Sequence, residues 1–147
     1  MVSGSVDSQK AELIGEMGGI FAGDGTLYTT KQGKGHVLEV RGNSDEIEYY
    51  ENHVKFIFGK MFQKNLKVIK RYYPNKTGHV IGIRICGKEV KELIHDILGF
   101  PIGKKSDIVE IPQVIVQNKD AWESYIRGVF DTDGSFYIRK SGPKLKG

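Results

Sequence analysis

The sequence predicts an α+β domain in which helices alternate with antiparallel hairpins, and three observations predict it. Apolar residues recur at spacings of three and four in separate stretches, alternating stretches flank turn residues, and one helix-to-strand junction occurs twice. The junction runs from Met17 to Gly25 (MGGIFAGDG) and again from Ile126 to Gly134 (IRGVFDTDG). Each copy has small residues four apart, Gly19 and Gly23 in the first, Gly128 and Thr132 in the second. A helix stripped of bulk at i and i+4 lets another backbone come close, because glycine has no Cβ to hold it off. The two helices are therefore expected to pack on each other. Each copy closes on Asp-Gly, Asp24-Gly25 and Asp133-Gly134, and the glycine is expected to be the left-handed residue that ends the helix. That leaves each carboxylate at a helix C-terminus, near its twin.

Residues Met1 to Ser8, rich in Ser, Gly and Val, read as a flexible lead (1–8). The first helix is expected from about Gln9 to Asp24 with Ser8 as N-cap, its apolar stripe formed by Leu13, Met17, Ile20 and Phe21. Thr26 to Lys31 and His36 to Arg41 alternate around the turn Gln32 to Gly35 and form a hairpin. Gly42 to Asp45 is a turn in which Ser44 or Asp45 caps a helix from about Glu46 to Phe62, with Tyr50, Val54 and Phe58 on its apolar side. A second hairpin pairs Leu66 to Tyr73 with His79 to Cys86, and a third helix, Lys88 to Leu98, stops at Gly99 and Pro101. A connector (101–120) follows. Asp120 is then placed to cap the second repeat helix, Ala121 to Asp133, before a strand Ser135 to Lys140 and a basic tail.

A formal net charge of +4 with a pI near 9.1 favours a polyanionic partner. Asn52 to Lys88 contains no acid but many lysines and arginines, a basic block interleaved with aromatics that reads as a nucleic-acid footprint. Cys86 is the single cysteine, so neither an internal disulfide nor a cysteine zinc cluster is possible; within its apolar run it is expected to be buried. The four histidines show no metal-ligand spacing. No stretch is long and apolar enough for a membrane span and the first ten residues are unlike a signal peptide, so an intracellular location, nucleoid-associated in a prokaryote, is expected.

The repeat resembles the motif of the LAGLIDADG homing endonucleases. Asp24 and Asp133 fall on its eighth position, Gly19 and Gly128 on its third, and both terminal glycines are kept; the sixth position is acidic in the second copy, Asp131, but is Ala22 in the first. The order helix, two strands, helix, two strands, helix over 9–100 is that of one half of such an enzyme. The resemblance implies a half-saddle (αββαββα) whose curved antiparallel sheet lies in the DNA major groove, followed over 121–147 by a second motif helix and one strand. It further implies that Asp24 and Asp133 are the catalytic, metal-binding acids, with the Gly23 and Thr132 carbonyls beside them and Mg2+ or Mn2+ as cofactor. Lys104 or Lys105 in the connector is the candidate lysine that polarises the pocket. The connector resembles that of archaeal single-chain members, with an intron or intein as host element. Only thirteen residues follow Gly134, so the second half is expected to be incomplete and supplied by a homodimer, strand- or domain-swapped, or by a complementing fragment.

The residues themselves suit double-stranded DNA. Period-two alternation sends Thr26, Tyr28 and Thr30, or Ser135, Tyr137 and Arg139, to the face opposite Leu27 and Ile138. Lys31, Arg41, Lys76, Arg84 and Lys140 add to that surface. For 66–73, either Lys67 with Arg71, or Lys70, faces DNA. A carboxylate, helix-end carbonyls and a phosphate suffice for magnesium, which keeps several of its own waters. Alone, each Asp-Gly is an ordinary turn dipeptide; duplicated in the same context, the pair points to chemistry. The leading reading is a site-specific endonuclease. The alternatives are a non-cleaving nucleic-acid binder, either an RNA maturase or a DNA-binding regulator, and an α/β domain that binds no nucleic acid.

Overall fold

The computed structural model describes residues 2–30, 32–33, 35–73, 78–104, 108–133 and 137–140, with side chains for 8–30, 32–33, 35–72, 79–104 and 111–132. Helix α1 spans Val2–Asp24, so the lead expected to be flexible over Met1 to Ser8 is helical from Val2. Ser8 is not a cap. It lies inside the helix, where its hydroxyl donates to Asp120 Oδ2 at 2.7 Å.

Strands β1 (Gly25–Thr29) and β2 (His36–Asn43) form the first hairpin, with Leu27 opposite Leu38. A composite helix α2 (44–62) follows: a 3-10 turn over Ser44–Glu46, α-helix over Ile47–Tyr49, a π stretch over Tyr50–Val54 and α-helix again over Lys55–Phe62. Its N-cap is Asn43, not Ser44 or Asp45; the Glu46 carboxylate accepts the Asn43 N–H at 2.9 Å, closing the helix start from inside. Strand β3 (Ile69–Tyr73) is shorter than the expected Leu66 to Tyr73, because left-handed Gln63 (φ 54°) turns the chain first and it joins the sheet only at Ile69. Then come β4 (Gly78–Cys86) and a third helix α3 (88–97), which ends before left-handed Gly99 (φ 81°) as expected of a C-terminal glycine.

The connector holds β5 (Ile108–Ile111) and a short helix α4 (Gln113–Val116) that periodicity did not reveal. Helix α5 spans Lys119–Asp133. Its first N–H groups are taken by the Asn118 side chain, from Asp120 at 3.0 Å and Ala121 at 3.2 Å, so Asn118 and not Asp120 is the cap. Strand β6 (Tyr137–Lys140) pairs in parallel with β5; the strand after the second repeat thus joins the connector.

The main sheet has the order β1-β2-β4-β3, every neighbour antiparallel. One face is packed. Leu27, Leu38, Val40, Ile81, Ile83 and Ile85 are buried there against Phe21 of α1, Tyr50, Val54 and Phe58 of α2, and Val90 and Ile94 of α3. The other face is open. Thr26, Glu39 and Arg84 lie across it in one row, and Arg41, Gly82 and Ile69 in the next. The same parity places Cys86 opposite Val37 on the open face, so the cysteine expected to be buried is exposed.

Candidate active site and nucleic-acid interface

The seam between α1 and α5 is built from backbone. A Cβ on Gly19 would fall on the carbonyl oxygen of Tyr125, and one on Gly128 would lie 2.7 Å from the carbonyl oxygen of Glu16. Glu16 and Tyr125 occupy the same place in their respective repeats, as do Gly19 and Gly128. The two contacts are thus one contact seen twice, and the helices are related by an approximate two-fold axis running along them. Gly15 extends the seam, since a Cβ there would meet the backbone of Ala121. Gly19, which the sequence pairs with Gly23 at a four-residue spacing, thus lies at a close approach, and Gly15 stands at the same spacing one turn before it. Thr132 is half-buried and turns its hydroxyl back on its own helix, donating to the Gly128 carbonyl at 3.0 Å and to that of Val129 at 3.2 Å.

Because contacts advance together along both chains, the helices are parallel, and both end at the same side of the molecule. Asp24 is the last residue of α1 and Asp133 the last of α5. The Asp133 side chain lies outside the described residues. Gly25 is not left-handed as expected: it is the first residue of β1, and a Cβ there would strike the Phe21 ring. Its lack of a side chain serves packing and not reversal.

Tyr50 reaches the acid from α2, its hydroxyl donating to Asp24 Oδ2 at 3.1 Å. The ring is fully buried. Burial foremost, and then the Asp24 carboxylate, push the Tyr50 hydroxyl well above its ordinary pKa, so it stays a donor wherever the acid is ionised. Its neighbour Tyr49 is pushed up in the same way, by burial and then by Asp131, Glu16 and Asp24, and its buried hydroxyl has no hydrogen-bond partner among the described residues. Glu16 itself is paired with His53, whose ring packs on Tyr49 at 5.3 Å between centroids. Neither tyrosine was singled out from the sequence: Tyr50 read only as an apolar position of α2, and Tyr49 was left unassigned. Among the described residues no three His, Cys, Asp or Glu side chains gather into a metal-binding group.

On the open face Thr26 is exposed and Tyr28 half-buried, and Arg84 is hydrogen-bonded to Tyr28, which foremost holds its guanidinium above its usual pKa. Glu39, which sequence reading left unassigned, sits 8% exposed between Arg41 and Arg84, at 2.7 Å and 3.8 Å. Its signal was present in the alternation that put it on the same side of β2 as Arg41. Arg71 stands opposite Val80 on this face, whereas Lys70 stands opposite buried Ile81 and projects from the helix side; the register decides between them and removes Lys70 from the open surface. Lys67 is exposed ahead of β3, and Thr30 is half-buried in the first hairpin turn.

The basic block is not one footprint. Lys55 and Lys60 belong to α2 on the packed side, Lys55 is paired with Glu51 at 3.0 Å, and Lys64, just past α2, is paired with Glu89 at 3.5 Å. Chain neighbours in a helix-to-hairpin segment end up on opposite faces of the sheet, so contiguity in sequence does not become contiguity in space. The connector crosses the free edge of β1 at Gly103, whose N–H donates to the Leu27 carbonyl at 2.6 Å, and Lys104 follows, exposed. Lys31, Lys76, Lys105 and Ser135 lie outside the described residues, as do the side chains of Tyr137, Arg139 and Lys140.

No protein-family model matches the chain, and no curated protein matches it either. Solved structures do. The chain is similar to a variant of I-DmoI in complex with its target DNA, nicked in the coding strand and in the presence of manganese, with TM-score 0.55 and 14% identity over 83% of this chain and 61% of that one. It is similar to I-DmoI in complex with DNA and calcium, with TM-score 0.57 and 13% identity over 84% of this chain and 58% of that one. This is the LAGLIDADG homing endonuclease fold. A structure of mesophilic variants of the homing endonuclease I-DmoI gives the same result, with TM-score 0.56 and 11% identity over 83% and 57% of the two chains. The chain thus spans less than two-thirds of the length of the solved structures it matches. Within the LAGLIDADG fold the two glycine-faced helices and the sheet beside them are the parts described above. No described helix is long and apolar enough to cross a membrane.

Proposed function

We propose that the chain is a site-specific double-strand DNA endonuclease of the homing type, hydrolysing phosphodiesters with a divalent metal, Mg2+ or Mn2+, held by Asp24 and Asp133. The observation that carries this reading is the parallel, backbone-to-backbone pair of helices that ends in these two acids. Oxygen donors at two helix C-termini, with the terminal carbonyls of Gly23 and Thr132 close by, suit a hard cation, and the dipoles add a favourable term of up to about 1 kcal/mol. When bound, such a metal activates water and stabilises the leaving oxygen of the phosphodiester. Tyr50 orients Asp24 for that task, and Lys104 or Lys105 is the candidate to polarise the pocket. The open sheet face, with Thr26, Tyr28, Arg41, Arg71 and Arg84, is the surface offered to duplex DNA. A second copy or a complementing segment would provide the matching half.

The test is cleavage of a randomised duplex library with magnesium or manganese, run beside a sizing measurement. Asp24→Asn and Asp133→Asn should each abolish cutting and leave salt-dependent binding intact. A wild-type protein that binds equally well but never cuts, alone or with a complementing segment, belongs instead to the maturase or regulator class.

A further inference from the structure

We propose that Glu39 is a positioning residue for sequence reading, fixing Arg41 and Arg84 so that their guanidinium groups address guanine edges in the major groove, an inference that rests on the DNA-binding reading above. Glu39 lies on the second strand of the sheet and faces the open side, opposite Thr26 on β1 and Arg84 on β4. One carboxylate oxygen accepts from Arg41 Nη2 at 2.7 Å, and the other faces Arg84 Nε at 3.8 Å. Tyr28 is hydrogen-bonded to Arg84 as well. The arginine side chains remain 52% and 43% exposed against 10% for Glu39, so the acid is the buried hub and the guanidinium heads reach outward.

An acid at this place weakens attraction to a polyanion, so its retention in the middle of a DNA-facing surface needs a compensating role. Ordering is that role. A guanidinium carries five N–H donors, and a single carboxylate contact leaves others to fork onto O6 and N7 of guanine. Held in advance, each arginine loses less side-chain freedom on binding. Without Glu39, two like charges on adjacent strands repel and their heads disperse.

The experiment is selection of bound duplexes from a randomised library by the full chain, followed by equilibrium binding at several salt concentrations, for wild type, Glu39→Gln and Arg41→Lys. Wild type should enrich guanine at the positions that meet β2 and β4, and 7-deazaguanine there should remove the preference. In Glu39→Gln the preference should fall about tenfold while affinity for random duplex holds or rises, and Arg41→Lys should lose the preference at the one position that its guanidinium meets. An unfolded variant would lose both quantities together, which separates misfolding from loss of reading. Glu39→Gln with the wild-type preference overturns this inference alone. Wild type with no salt-dependent binding to duplex overturns the endonuclease reading on which it rests.

Discussion

The two copies of the repeat have the same backbone seam and different surroundings. In the first, Phe21 is fully buried, with its ring 4.9 Å from that of Phe100, and Met17 and Ala22 are buried beside it. In the second, the matching Phe130 is 59% exposed, Ile126 is half-buried and Asp131 is exposed. The main sheet covers the outer stripe of α1, whereas Phe130 and Asp131 on that of α5 face solvent. The comparison explains the departure at the sixth motif position. A carboxylate in place of Ala22 would enter the core without a partner, at a cost of several kcal/mol, whereas Asp131 keeps its water. The difference teaches that the seam and the outer stripe are separate devices: the first joins the copies, the second recruits whatever lies outside them.

The sharpest way to break this contrast is to truncate both aromatics. Phe21→Ala should cost about 4 kcal/mol, and Phe130→Ala should stay within about 0.5 kcal/mol, in urea unfolding of the chain by itself. Equal costs would mean that α5 is covered in solution. Next comes the seam, where the copies should respond alike: Gly19→Ala and Gly128→Ala each push a methyl into a facing carbonyl and should cost about 3 kcal/mol, well beyond the ~1 kcal/mol gained in helix propensity. A large inequality between them would deny the two-fold relation.

Tyr50→Phe should cost about 1 kcal/mol at neutral pH, and should weaken binding of manganese to the protein, followed by calorimetry without DNA. Its pH dependence is specific. Because the Tyr50 hydroxyl is held above its ordinary value of 10.0, its contribution is fully present below that pH and is lost as pH rises beyond it, so the variant should unfold less steeply in alkali than wild type. The smallest effect is at the far end of the pair: Ser8→Ala removes the bond to Asp120 and should cost about 0.5 kcal/mol, with the repeats themselves unperturbed.

Much of this architecture was legible in the chain, for reasons that differ by element. Glycine at helical spacing, repeated in the same context, has one physical meaning, and the close approaches at Gly19 and Gly128 followed from it. Both hairpins followed from alternation around turn residues. Gly25 was misread because Asp-Gly satisfies a turn rule and the sequence does not show that the Phe21 ring needs the space. Cys86 was misread because the run His79 to Cys86 is too apolar for its alternation to show, and only pairing with β2 reveals which residues face out. The site was harder. Tyr50 looks like any core aromatic until the fold brings its hydroxyl to Asp24, and Glu39 becomes meaningful only when β4 sets Arg84 across from it.

The contact between α1 and α5 is made of peptide groups, which have no rotamers to rearrange. Its gap is therefore set by van der Waals contact between backbones, which leaves it less sensitive to the drift of side chains elsewhere. The outward surface of the sheet can change its chemistry residue by residue while the helix ends keep their spacing. Under the proposed function, such a scaffold would acquire a new DNA address without rebuilding its cutting edge.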